Sequence, residues 1–270
     1  VSAAPRLRPP AGGTLRTPSV QVAAGVLVLT GVLSLAAWVG PALLASVVAL
    51  AGLALAWGWA GALALPSPRG TAVVLAVGAV VTTVATGARP GDPGVTWLPA
   101  ALSVAVLAAL FHQLLRRDGR PRLVESLTGV TMGLAVIGCG ALLVPVAHRD
   151  PGPALVAAAL AASAVSALVD VAGRWPSLRP WLVPAGMLAG GATAVLVTTP
   201  AGIGVPPSTA LLLGVAAAVV GHAVRVVLAV LPTMAHARPR LVAVVASTLA
   251  PGAVTYPVAH LLLPQVLPSL

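Results

Sequence analysis

The sequence predicts an all-α fold, a polytopic transmembrane helix bundle of about nine spans with a cytoplasmic N-terminus and an external C-terminus. Three observations predict it. The 270-residue chain is 59% hydrophobic and 7% charged, with a mean hydropathy of +1.04. A soluble domain of that length could not solvate such a surface. The apolar residues gather in runs of roughly 19 to 25, each enough to cross a hydrocarbon core about 30 Å thick at about 1.5 Å per residue. Finally, the arginines alternate between connections. With the N-terminal tail counted first, one side holds Arg6, Arg8, Arg16, Arg69, Arg116, Arg117, Arg120, Arg122, Arg174, Arg179, Arg238 and Arg240, whereas the other holds Arg89 and Arg149. Positive charge is retained in the cytoplasm during insertion, so the rich side is the inner one. A wrong number of spans would scramble this alternation, so span count and orientation support each other.

Residues 1–17, rich in Pro, Gly and Arg, read as a disordered basic cytoplasmic tail. Residues 18–270 read as a single transmembrane bundle, because no connection is long enough to hold a second folded unit. The first span, Ser19–Val39, is longer than the h-region of a leader and is expected to be retained. A tight Gly40-Pro41 break opens the second, Pro41–Leu65, whose Trp57 and Trp59 lie deep enough to be packing residues. The third is Gly70–Ala88. In the fourth, Thr96–Leu115, Trp97 marks the outer interface, as Trp38 does in the first. The fifth, Leu123–Ala147, holds Gly129 and Gly133 at a spacing that lets helices approach closely in lipid. Cys139 is also here, a lone thiol with no intramolecular partner. The sixth, Pro153–Gly173, carries a polar stripe of Ser163, Ser166 and Asp170. Trp175 and Trp181 flank the inner loop before the seventh, Trp181–Thr199, which repeats the glycine spacing at Gly186 and Gly190. The eighth, Ser208–Leu231, places His222 and Arg225 on one face at i, i+3. The ninth, Leu241–Leu263, is interrupted by Pro251-Gly252 and Tyr256-Pro257 and is expected to kink.

Ionisable groups inside a span cost about 2.5–3.5 kcal/mol each at mid-bilayer. Those of this chain are His112, Glu125, Asp170, His222, Arg225 and His260, and the first five fall in the inner halves of their spans. Two arrangements answer that cost. In one, the groups converge on a cytoplasm-facing cavity in which arginine forks bind phosphate oxygens, and Asp170 and Arg225, at similar depth in their spans, face the bundle interior in direct or water-mediated contact. In the other, Asp170 pairs with Arg174 four residues on, Arg225 snorkels, and the loop arginines are insertion signals loosely associated with anionic lipid. The net charge of +10 does not point to nucleic acid: the arginines sit in short loops on one membrane face, and aromatics are 3% of the chain. The expected partners are membrane lipids, anionic ones first, and beyond them a second copy of the chain or another membrane protein.

The layout resembles the polytopic phosphatidate cytidylyltransferases, which make CDP-diacylglycerol from phosphatidate and CTP. An arginine-bearing inner loop runs into a helix at Arg122-Leu-Val-Glu-Ser-Leu127. A membrane-embedded aspartate precedes small residues and Gly-Arg at Asp170-Val-Ala-Gly-Arg174, where that family has a Ser-Asp-Thr-Gly-type segment. Pro251-Gly-Ala-Val-Thr-Tyr-Pro-Val-Ala-His-Leu-Leu-Leu263 is similar to the family's last apolar helix. The family's Lys-Arg, Lys-Asp, Pro-Gly-His-Gly-Gly and Asp-Arg-x-Asp elements are absent from the sequence. The resemblance therefore implies a catalytically degenerate relative. The acids are Asp92, Asp118, Glu125, Asp150 and Asp170, with Asp92 and Asp150 on the outer side, too few at the inner face for a two-metal site. Neither a metal nor another cofactor is expected.

No Walker loop, HExxH, CxxC or nucleophile elbow occurs. The expectation is a non-catalytic, multi-pass protein of the cytoplasmic membrane. Its arginine-rich inner face would bind anionic lipid or phosphate through His112, Arg116, Arg117, Arg120, Arg122, Asp170, Arg174, His222 and Arg225. The alternatives are an active CDP-lipid-type cytidylyltransferase, a small-solute transporter, or a structural subunit of a membrane complex.

Overall fold

The structure, a computed structural model, describes residues 20–87, 95–117, 119, 121–199, 204–263 and 266. The expected N-terminal tail, Arg89, Asp92, Asp118 and Arg120 lie outside the described residues. Those described form helices and turns, with no strand among them. Nine of their helical segments are long and apolar enough to cross a membrane. The helices are α1 (Val20–Val39), α2 (Pro41–Ala62), α3 (Pro68–Gly87), α4 (Leu98–Leu115), α5 (Leu123–Ala141), α6 (Leu143–Val146), α7 (Gly152–Val171), α8 (Leu182–Thr198), α9 (Pro207–Ala229), α10 (Ala237–Leu249) and α11 (Gly252–Leu262). The fifth span is α5 with α6, and the ninth is α10 with α11.

Proline dictates both breaks. It lacks an amide proton, and its ring clashes with the carbonyl four residues back. Pro145 therefore sets itself against the carbonyl of Ala141, where α5 ends, and Pro251 against that of Ser247, close to the end of α10. The interruption at Pro251-Gly252 was expected; the one after Ala141 was not. Pro257, the other expected kink, lies inside α11 without ending it. The two broken spans meet near their breaks. Gly252 lies so close to the backbone carbonyl of Cys139 that a Cβ there would collide with it, and a Cβ on Gly140 would meet Leu249.

The centre of the bundle is α7, the most buried of the spans. Its inner turns are alanine (Ala158, Ala159 and Ala162 have no exposed surface), so α1, α8 and α9 all pack directly on it. A second group forms around α2, which packs on α3, α5 and α10; α4 lies at the edge of this group, against α3 and α5. α10 joins the groups by touching α1, α2 and α9. Small residues govern the closest approaches, as expected where lipid gives no hydrophobic drive between helices. Gly190 of α8 faces the Gly214 backbone of α9. Gly133 of α5 gives room to Trp59, which is fully buried and donates its indole N–H to the Gly129 carbonyl at 2.7 Å. Trp57, expected to pack as well, is exposed on the outer face of α2.

Contacts across loops show which helix ends lie together. Ser67, before α3, bonds His112 near the end of α4 at 3.1 Å. Arg122, before α5, donates to the Ala64 carbonyl after α2 at 2.9 Å. Thr233, between α9 and α10, donates to the Ala62 carbonyl at 2.6 Å. Arg240 in α10 reaches Gln21 in α1. The connections that carry most of the arginines thus gather at one end of the bundle.

Candidate functional site

Asp170 stands in the last turn of α7 and Arg225 in the last two turns of α9. Both are 1% exposed. An unpaired charge at such a position costs several kcal/mol, so helix ends that bury both must place them together. Arg225 Nε donates to Asp170 Oδ2 at 2.7 Å, and His222 Nδ1 lies 2.5 Å from Oδ1. The geometry suits the tautomer in which Nδ1 carries the proton and donates to the carboxylate. The His222 side chain keeps 16% of its surface exposed and forms the rim of the cluster.

The polar stripe of α7 continues the network. Arg225 Nη2 donates to Ser166 Oγ at 2.8 Å, and that hydroxyl donates to the Ala218 carbonyl of α9 at 3.0 Å. Ser163 Oγ donates to the Ser247 carbonyl of α10 at 3.2 Å. This is the carbonyl that Pro251 cannot bond within the helix, so the break in the ninth span supplies an acceptor to α7. Gly221 makes room for the guanidinium: a Cβ there would collide with Ser163 Oγ and lie 3.0 Å from Arg225 Nη1. Nη1 itself is buried with no hydrogen-bond partner.

A direct or water-mediated Asp170–Arg225 contact was expected, and the contact is direct; pairing of Asp170 with Arg174 is not what forms. Arg174 is exposed and stacks on the neighbouring Trp175, 3.8 Å above its ring. The remaining residues of the expected face lie elsewhere, around α4 and α5. Arg116 is 9% exposed and donates to Gln113 Oε1 at 2.9 Å. His112 is half-buried, and a Cβ on Gly70 would meet its ring. Arg117 is exposed, and Arg122 pairs with Glu125 at the surface. The expected residues thus divide between an α7–α9 cluster and an α4–α5 cluster instead of converging on one cavity. Sequence reasoning missed Gln113, Gly221 and Ser247. Their signals were a neutral amide beside a buried arginine, a glycine one turn before Arg225, and a serine four residues before a proline.

The cluster does not fit the magnesium ion that the cytidylyltransferase resemblance would imply. Both oxygens of Asp170 are taken by nitrogen donors of this chain. Glu125, the other described acid at this end, is in the α4–α5 cluster with Arg122. Among the described residues no group of three or more His, Cys, Asp and Glu could hold a metal. What the arrangement does chemically is fix a charge pair in an apolar setting and lock α7 to α9. Comparisons of the chain with protein-family models, with curated proteins and with solved structures give no match.

Proposed function

We propose that the chain is a non-catalytic, multi-pass protein of the cytoplasmic membrane whose arginine-rich end faces inward and binds anionic lipid headgroups. The gathering of Arg116, Arg117, Arg122, Arg174, Arg238 and Arg240 at one end of the bundle carries this reading. Among the described residues at this end the acids are Asp170, spent on Arg225, and Glu125, spent on Arg122. Each lysine or arginine near an anionic leaflet is worth about 1 kcal/mol of attraction. Exposed indoles at the same end, Trp57, Trp175 and Trp181, suit the headgroup depth. Arg238 lies 3.8 Å over the Trp57 ring, a cation–π pair set where phosphates lie.

Native mass spectrometry of protein extracted in a mild detergent tests this. Retained phosphatidylglycerol should exceed retained phosphatidylcholine, and replacing Arg116, Arg117 and Arg122 by Gln should reduce the excess. Equal retention of the two lipids would refute the reading. Formation of CDP-diacylglycerol from phosphatidate, CTP and magnesium above an empty-vesicle control, abolished by Asp170→Asn, would replace it with an active transferase.

A further inference from the structure

A groove of about 680 Å³ runs between α1, α2 and α10 on the outside of the bundle. Its walls are apolar: Ala24 and Val28 from α1, Ala51 and Ala54 from α2, Leu241 and Val244 from α10. Gln21 and Arg240 are its polar lining residues, and both stand at the arginine-bearing end. Along α1 the lining runs from Gln21 to Val32, a depth of about 16 Å at about 1.5 Å per residue. Half of a hydrocarbon core about 30 Å thick is about 15 Å, so the groove is one leaflet deep. It is also within the range of about 300–1,000 Å³ over which ligand pockets occur.

We propose that this groove is a specific site for one anionic phospholipid, its acyl chain lying along α1 and α10 and its phosphate meeting Arg240. The proposal rests on the inward orientation and anionic-lipid preference argued above. Charge complementarity selects the occupant. Arg240 donates Nε to the Met234 carbonyl at 3.0 Å and reaches Ala235 and Gln21 through its two terminal nitrogens. A guanidinium has five N–H donors. Carbonyls and an amide oxygen therefore fix the fork at the mouth of the groove, and its remaining N–H groups are open to a phosphate oxygen. Arg238, two residues away over the exposed Trp57, adds a second positive charge at the same end. A neutral apolar occupant would leave this charge unanswered, and a free phosphate would leave the walls uncovered.

Two substitutions at exposed positions test the site without burying anything new. Ala24→Phe fills the groove, and Gln21→Glu sets a carboxylate against Arg240, neutralising the charge that the phosphate would meet. Each variant would be compared with the unmodified protein by native mass spectrometry with phosphatidylglycerol and phosphatidylcholine at rising collision energy. The expected result is one phosphatidylglycerol that survives the highest energies in the unmodified protein. It should be held about tenfold more weakly in either variant, the scale of one lost charged hydrogen bond. Thermal unfolding should not be lowered in either variant. If both variants keep that lipid while replacement of Arg116, Arg117 and Arg122 removes it, the groove proposal fails and the broader anionic-face reading stands. If no phosphatidylglycerol is retained above phosphatidylcholine in any form, both fail.

Discussion

At the scale of single residues, Asp170 and Arg225 behave as one unit. Removing the guanidinium strands a buried carboxylate, and breaking such a pair costs about 3–5 kcal/mol. Replacing both partners with apolar residues of similar size removes the stranded charge and is often neutral. Arg225→Leu should therefore lower the thermal unfolding midpoint in detergent sharply, and Asp170→Leu with Arg225→Leu should recover most of the loss. A double variant as unstable as Arg225→Leu alone would mean that packing, not charge, dominates at this position. This pair was legible in the sequence because leaving either group alone in the membrane is so costly. Arg174 was not legible, since a favourable i+4 acid and an adjacent indole compete for one guanidinium and the sequence does not rank them. The contrast between Trp57 and Trp59 has a geometric reason. Residues two apart point about 200° from each other round a helix, so both could not face the interior.

At the scale of elements, the breaks in the fifth and ninth spans organise the neighbouring packing. The approach of Gly252 to the Cys139 carbonyl is backbone against side-chain-free backbone, and a carbonyl held in a helix cannot yield to a methyl group. Gly252→Ala should destabilise the protein by about 1–3 kcal/mol, the usual cost of forcing an extra carbon into a packed core. Gly31→Ala is the matched control, because nothing lies within 4 Å of the added carbon there, and helix propensity favours alanine by up to about 1 kcal/mol. Equal melting points for the two variants would show that the contact at Gly252 does not constrain the break. Spans were legible to within a few residues because length and hydropathy are set by the thickness of the bilayer. The interruption after Ala141 escaped notice because apolar residues continue through it. Only Pro145, acting on a carbonyl four residues earlier, marks it.

At the scale of the whole molecule, the alternating arginines and the nine apolar helices describe one arrangement, and labelling checks its orientation. On a Cys139→Ser background, a cysteine at position 117 should react from the cytoplasmic side and one at position 150 from outside. Reaction of both from one side would overturn the crossing of the fifth span and with it the nine-span arrangement, and the reverse pattern would overturn the inward orientation. The bundle was legible because insertion rules act on composition. The division of the polar residues into two clusters was not, because it depends on which helices touch, and helices of alanine, valine and leucine carry little that specifies a partner.

The ion pair also has a consequence in time. Asp170 and Arg225 are 55 residues apart in sequence, and a chain grows at about 5–20 residues per second, so the aspartate emerges about 3–11 seconds before its partner. During that interval α7, the helix around which the others assemble, exists with its acid unanswered. In the membrane setting proposed above, burying that acid alone is costly, so α7 gains its full set of partners only when α9 arrives. On that reading the first-made helices close fully around α7 only after a later helix has supplied the partner of its acid.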